Sequence, residues 1–312
     1  MSQILRRNTW NWLPVFLEVA DAGSLVAAAA RLHLTPAAVS RTLRLLEEEL
    51  GHPLFNRVGR GLVLNTSGAA LQGHVRTAVT TVEQGLSDLK GDPLAGPLRV
   101  ASLGVLTEHF VVPALIALKK TAPALLPEHI NLRASEANTE LARGKLDLAF
   151  YYEELTAEGV LVERLGETSM SVYCGKGHVL FRQSRVTQKN VLEHPFSVPQ
   201  IGDSGRVMDG WPADLPRLVG MRITMLQSNL SVCLSGTLLT VLPDVVAAVH
   251  VRQKELRRLP VHGLPAIEVF AARPAAALHR SALQVVVDGV RTRLTEENRA
   301  VRRVLGRRST GR

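Results

Sequence analysis

From Leu13 to Leu50 apolar residues recur at steps of three and four, the spacing of a helix with one buried side. Leu13, Phe16, Leu17 and Ala20 predict a first helix over Trp12 to Ala22, with Pro14 tolerated in its first turn. Leu25, Ala28, Ala29 and Leu32 predict a second, short helix, capped by Ser24, itself a candidate DNA contact, and ending near His33. Val39, Leu43, Leu46 and Leu50 predict a third. Thr35 caps it, Pro36 suits its first turn because the fixed φ and missing N–H cost nothing there, and Gly51 supplies the stop. Gly23 to Gly51 therefore reads as helix, tight turn, helix, braced by the helix before it.

The polar side of the third helix opens with Thr35, Pro36, Ala37, Ser40, Arg41 and Arg44. Small residues at a helix N-terminus, followed by a hydroxyl and two guanidinium groups, suit entry into a DNA major groove, where close approach and hydrogen-bond donors are both needed. An ordinary helical hairpin with a solvated basic side has the same spacing. Downstream, Leu62, Val63 and Leu64 follow the glycine-flanked Arg60, which suits a β-hairpin wing. Arg57 and Arg60 would there reach a phosphate or the minor groove, or pair with Glu47 to Glu49.

The period then lengthens. Leu71, Val75, Ala78, Val82, Leu86 and Leu89 keep an approximate heptad seam over a helix from Ser67 to Lys90. Such a seam exceeds what a small domain buries alone, so it reads as a dimerisation helix, with packing on its own domain as the alternative. Gly91 to Pro97 is the clearest domain boundary. Beyond it apolar runs alternate with helical stretches: Leu98 to Leu103, Thr107 to Lys120, Ile130 to Ala134, Ala137 to Arg143 and Leu146 to Tyr151. A second cycle follows in Met170 to Cys174, Thr187 to Glu193, Phe196 to Pro199, Arg222 to Leu226, Leu230 to Gly236 and Thr240 to Leu242. Ile267 to Ala272 and a helix from Ser281 to Arg293 complete it. The pattern is α/β with a largely parallel sheet.

Composition adds bounds. A chain of 312 residues, 46% of them hydrophobic, is expected to hold two or more packed units, with no apolar run that reads as a membrane span and no secretory signal in Met1 to Asn11. Cys174 and Cys233 sit in apolar surroundings and are expected to be reduced and buried, as in a cytoplasmic protein. A net charge of +9 fits a polyanionic partner without locating it. Met1 to Asn65 holds seven arginines against five acids, and the excess lies in Arg291, Arg293, Arg299, Arg302, Arg303, Arg307, Arg308 and Arg312. That end reads as a solvated tail or as an auxiliary DNA or partner contact.

Ser24, Ala28-Ala29, Leu32, Thr35, Ala38-Val39-Ser40, Leu46-Glu47, Leu50-Gly51 and Leu54-Phe55-Asn56-Arg57 together resemble the amino-terminal domain of the LysR-type transcriptional regulators. The likeness continues through Gly59 to Gly68, which is similar to that family's wing and the start of its linker helix. Pro97-Leu98-Arg99-Val100, Gly144 to Ala149, Gly177-His178 and Gly236 through Leu242-Pro243 resemble stretches of its periplasmic-binding-protein-like sensor. The resemblance implies a winged helix-turn-helix DNA-binding domain over 1–65, a linker and dimerisation helix over 66–90, and a two-lobed α/β effector domain over 97–312. Lobe I would take 97–163 and 267–298, lobe II 164–266, and a basic tail 299–312. It implies as partners a double-stranded DNA operator, a second copy in a homodimer or homotetramer, RNA polymerase, and a small-molecule effector. It implies no cofactor or metal, and a cytoplasmic, nucleoid-associated protein.

An effector between the lobes would meet the carboxyl ends of strands and the amino ends of helices. Ser102, Leu103, Gly104, Val105 and Thr107 end one strand and open a helix, offering N–H groups and hydroxyls to a carboxylate or other small anion. Asn138, Thr139, Tyr151, Gln200, Gln227, Ser228 and Asn229 occupy comparable positions, and each is also an ordinary cap or turn residue. Leu103, Val105 and Leu106 point to an effector with apolar surface. Several positions depart from the family pattern. Val26 replaces a frequent hydroxyl, Pro36 and Thr42 replace frequent glutamines, and Leu238 replaces a usual second glycine, so operator and pocket details do not carry over.

Two other classes share parts of the pattern. Gly202-Asp203-Ser204-Gly205 resembles the nucleophile loop of chymotrypsin-like proteases, but Arg206 follows it and no histidine context pairs with it. His109, His178 and His262 lack partners at metal or triad spacing. A solute-binding protein of the periplasmic class would share the lobes but not the helix-turn-helix. The expectation is a regulator and not an enzyme.

Overall fold

The computed structural model describes residues 8–59, 61–89, 94, 96–199, 209–275 and 281–306. Helices α1 (Thr9–Ala22), α2 (Leu25–Leu32) and α3 (Pro36–Leu50) pack around Phe16, Val39 and Leu46, all fully buried. α1 begins three residues before the expected Trp12, which puts Pro14 in its second turn. The ring removes one helical hydrogen bond there, a loss opposed by burial of Leu13, Phe16 and Leu17 on the same helix. Strands β1 (Phe55–Val58) and β2 (Gly61–Leu64) form the wing, paired from Phe55 opposite Leu64 to Val58 opposite Gly61. The Leu62 N–H donates to the Gly23 carbonyl at 2.9 Å, and Phe16 meets Phe55 edge-to-face at 5.7 Å, so the wing is fixed to the α1–α2 turn.

Asn65 sets the entry of α4 (Thr66–Leu89). Its amide donates to the Pro53 carbonyl at 2.7 Å and its Oδ1 accepts the Gly68 N–H at 2.8 Å. A Cβ on Gly68 would stand 2.1 Å from the Leu54 carbonyl oxygen, so only glycine allows this approach.

The rest of the chain alternates. β3 (Gly96–Ala101) leads into a π-helical turn at Leu106–Val111 and α5 (Val112–Thr121); then come β4 (Leu125–Ile130), α6 (Ala134–Ala142), β5 (Leu148–Tyr151) and β6 (Val160–Thr168). Next are β7 (Met170–Gly175), α7 (Gln188–Leu192), β8 (Pro195–Val198), β9 (Leu218–Arg222), α8 (Leu226–Ser235), β10 (Leu239–Pro243), α9 (Asp244–Arg252), β11 (Leu256–Leu259), β12 (Ile267–Pro274) and α10 (Ser281–Leu305). Two five-stranded sheets result, in the orders β4-β3-β5-β12-β6 and β11-β7-β10-β8-β9.

Neither sheet is as parallel as expected. β3, β4 and β5 run parallel in the first and β8, β9 and β10 in the second, while the remaining neighbours are antiparallel. The chain crosses between sheets twice, and the crossing strands β6 and β12 pair antiparallel along Val160–Thr168. That pairing carries lobe I to Thr168, past the boundary expected at residue 163. Three runs also shift. β4 ends at Ile130, where the sequence pattern predicts a strand to begin, and Ala134 opens α6. β9 ends at Arg222, and α8 starts four residues before Leu230.

The basic end is not a tail from residue 299. α10 continues to Leu305, with Val301 buried in the core that α5 and α9 share. Asn298 donates to the Glu167 carbonyl at 2.7 Å and Arg258 of β11 to the Leu305 carbonyl at 3.4 Å, so α10 spans both lobes. Arg302 and Arg303 lie in its last turn, where cations suit the helix dipole. Arg307, Arg308 and Arg312 lie outside the described residues. Cys174 and Cys233 are free and buried, and burial pushes their thiols up to about 11 and about 12.

Candidate nucleic-acid interface and effector cleft

The buried stripe of α3 turns its other side outward. Thr35, Pro36, Ala37, Ser40, Arg41 and Arg44 are all exposed. The Thr35 hydroxyl accepts the Ala38 N–H at 3.2 Å, so it caps the helix and also borders the face. Arg41 has no ion-pair partner among the described residues, whereas Arg44 lies 3.5 Å from Glu48 one turn on, both well exposed. Ser24 is half-buried and caps α2 through Ala27 at 3.5 Å. Glu47 accepts the Leu54 N–H at 2.7 Å and Glu48 faces Arg44, while Arg57 stands exposed on β1. Arg60 lies outside the described residues. The helix N-terminus, small side chains and a guanidinium with no ion-pair partner among the described residues thus share the exposed side of α3.

The α4 seam divides in two. Leu71 and Val75 pack into the core of the head itself, contrary to the dimerisation role expected of them, because α4 lies against α1 and completes that core. Ala78 is half-buried. Val82, Leu86 and Leu89 are exposed by 53%, 54% and 85%, a continuing apolar stripe that no described residue of the same copy covers.

A contact that sequence spacing did not reveal joins the head to lobe I. Asp21, at the end of α1, accepts from Gln72 at 3.2 Å and Arg76 at 2.5 Å of α4, and lies 3.9 Å from Lys145. A Cβ on Gly73 would stand 2.3 Å from the Ala142 carbonyl oxygen, which explains the small residue where α4 meets α6. Beside this contact a cavity of about 530 Å³ lies between α4 and α6, lined by Ala69, Ala70, Thr139, Arg143 and Leu155 among others.

In the cleft, Ser102 closes β3 with 1% of its surface exposed. Its Oγ lies 2.8 Å from the Thr107 hydroxyl and 2.8 Å from His129 Nε2 on β4. Burial lowers the pKa of His129. Leu103 and Gly104 are exposed, and Gly104 takes a φ of 53° that a side chain disfavours. His129 is not among the site residues expected from sequence. Only the parallel register of β3 and β4, with Val100 opposite His129, brings it to Ser102.

Several expected contacts are engaged elsewhere. Val105 is 6% exposed and belongs to the lobe core. Asn138 is buried; it donates to the Leu155 carbonyl at 3.0 Å and accepts from the Tyr151 hydroxyl at 3.1 Å, so the two residues fasten α6 to β5. Burial pushes the Tyr151 phenol up to about 12. Thr139 lines the cavity facing α4, and its hydroxyl donates to the Ser135 carbonyl. Asn229 is buried, accepting from Ser197 at 2.6 Å and donating to the Ile223 and Met225 carbonyls at 2.9 and 3.3 Å. Buried polar groups need such partners, and these residues supply them to the fold. Gln227 and Ser228 stay exposed in the first turn of α8. Gln200 and the Gly202 to Gly205 motif lie outside the described residues.

Comparison with known proteins gives a consistent picture. The model described as "Bacterial regulatory helix-turn-helix protein, lysR family" matches residues 10–69, and "LysR substrate binding domain" matches residues 91–295. The HTH-type transcriptional regulator DsdC of Escherichia coli (strain K12) is 31% identical over 131 residues, 42% of this chain and 41% of DsdC. The chain thus spans less than half the length of that relative. The HTH-type transcriptional regulator ClcR of Pseudomonas putida is 24% identical over 245 residues, 76% of this chain and 83% of ClcR. Among solved structures, the full-length LTTR LysG from Corynebacterium glutamicum with bound effector Arg superposes with a TM-score of 0.69 at 18% identity, covering 92% of this chain and 98% of that one.

Proposed function

The chain belongs to the LysR family of bacterial regulators, and on that premise we propose that it is a sequence-specific DNA-binding transcription regulator whose operator binding responds to a small anionic effector. The observation that carries this reading is the exposed face of α3, where Ser40 and an Arg41 with no ion-pair partner among the described residues follow the small residues of the helix N-terminus. A helix so presented enters a major groove by its first turns, with Arg41 and Arg44 reaching bases or phosphates and Arg57 of the wing reaching the backbone.

One head reads a short site weakly. The exposed Val82, Leu86 and Leu89 of α4 support pairing with a second copy, which links two heads and two half-sites. Effector binding at Ser102, Thr107, Leu103, Gly104, Gln227 and Ser228 would alter how paired copies present their heads, and so the bending of the operator. It has an effect only where the ligand favours one arrangement over the other. A tetramer, a contact with RNA polymerase and residence on the nucleoid belong to the same reading.

Mapping the sites bound in the cell of origin and testing them by electrophoretic shift checks it. Arg41→Ala is expected to weaken operator binding by roughly 5- to 150-fold, the loss of about 1–3 kcal/mol that one such contact carries. An unchanged affinity would remove α3 from the interface.

A further inference from the structure

We propose that His129 is a positioning residue of the effector cleft: its ring nitrogen sets the direction of the Ser102 and Thr107 hydroxyl protons, so that binding an anion takes up one proton from solvent. The inference rests on the cleft reading above and adds its regulation.

Three polar atoms form a closed triangle. Ser102 Oγ lies 2.8 Å from His129 Nε2 and 2.8 Å from Thr107 Oγ1, and the third side, Thr107 to His129, is 3.4 Å. The two hydroxyls bring two protons. In the proposed resting state the neutral ring carries its proton on Nδ1 and Nε2 is bare; Ser102 then donates to Nε2 and Thr107 donates to Ser102, so both protons are spent inside the triangle. When the ring takes a second proton, on Nε2, it becomes the imidazolium and the chain reverses. The ring donates to Ser102, Ser102 donates to Thr107, and the Thr107 proton is released.

Burial decides where that proton can go. Ser102 is 1% exposed, whereas Thr107 is half-buried and follows the exposed Leu103 and Gly104 in the same loop. The freed donor is therefore carried by the less buried of the two residues, and an anion that accepts it also stabilises the imidazolium behind Ser102. In the empty protein burial opposes that charge and holds the ring below its ordinary value. Anion binding raises it. One proton passes from solvent to the ring, and no covalent bond to carbon changes.

The surrounding charges leave this balance to burial and ligand. Glu128, next on β4, projects to the opposite face and lies 3.5 Å from Arg99 of β3. On the π-helical turn Glu108 is exposed, and the charges that act on neighbouring His109 are Glu297, Glu108 and Arg293. Lys119 of α5 is tied to the Pro123 and Leu125 carbonyls at the far end of β4. Arg133 and Glu136 open α6, where the Glu136 carboxylate accepts the Arg133 N–H.

The sign follows. Affinity is greatest at low pH, falls as pH rises between the ring's pKa in the empty and the bound protein, and is flat above both. The experiment uses the full chain with benzoate, a carboxylate with apolar surface that stays ionised across the range, titrated calorimetrically from pH 5.5 to 8.5 in two buffers of different ionisation enthalpy. Wild type is expected to take up as much as one proton per benzoate and to lose up to ~10-fold in affinity per pH unit at the steepest point. His129→Gln is expected to bind with a flat profile and no proton uptake. Histidine-selective NMR of wild type provides a second readout that needs no variant: the His129 ring should titrate at higher pH when benzoate is saturating.

Binding without proton uptake, a pH profile that survives in His129→Gln, or a ring that titrates identically with and without benzoate would overturn the relay while leaving the cleft in place. Failure of benzoate, acetate and succinate alike to bind would instead overturn the anion cleft, and the relay with it.

Discussion

Polar residues expected to meet a ligand have opposite fates in the head and in the effector domain. On α3, Thr35, Ser40 and Arg41 stand in solvent, whereas Asn138, Tyr151 and Asn229 are buried in bonds to their own fold. The reason is architectural. A helix packed on one side exposes every polar residue on the other, so local spacing alone decides the outcome. A strand end between two layers is surrounded by backbone that must be satisfied, and a polar side chain there is as readily a fastener as a ligand contact.

Substitutions can break this contrast. Asn229→Ala removes one acceptor and two donors from a buried site, and is expected to lower unfolding stability by ~2–3 kcal/mol in denaturant titration. Asn138→Ala is expected to cost ~1–2 kcal/mol and to leave operator affinity of the folded protein unchanged. Should either variant retain full stability and lose only effector binding, the fastener reading fails. Thr107→Val shifts the balance: carboxylate binding is lost in calorimetry while stability falls only by the ~1 kcal/mol of its one hydrogen bond to Ser102. The smallest effect belongs to Arg44→Ala. Its exposed pair with Glu48 adds little, and the expected change is a salt dependence of operator binding reduced by about one unit of slope in a log–log plot.

The head was legible in the sequence because its determinants are local: Ser24 and Thr35 as caps, Gly51 as a stop, and three apolar stripes. The alternation of the effector domain was legible too, but not the placement of its edges. β9 is exposed along its whole length and so has no buried alternation to read. β4 is also an edge strand, where Pro127 is tolerated, and its outward Glu128 and Ile130 blur the pattern. α8 starts at Leu226 with no side-chain cap to announce it. Asp21 and His129 were invisible for a further reason: each meets its partners only through tertiary packing, Asp21 across α4 and lobe I, His129 across the β3–β4 register.

The proposition on which the rest depends is that the open face of α3 reads duplex DNA. Selection of bound duplexes from a randomised library, with wild type and Ser40→Arg in parallel, tests it whatever the operator sequence is. The account predicts that wild type enriches a sequence of two related half-sites set by helical repeats, and that Ser40→Arg, folded to the same melting temperature, enriches nothing. Enrichment of the same sequence by both proteins would contradict it.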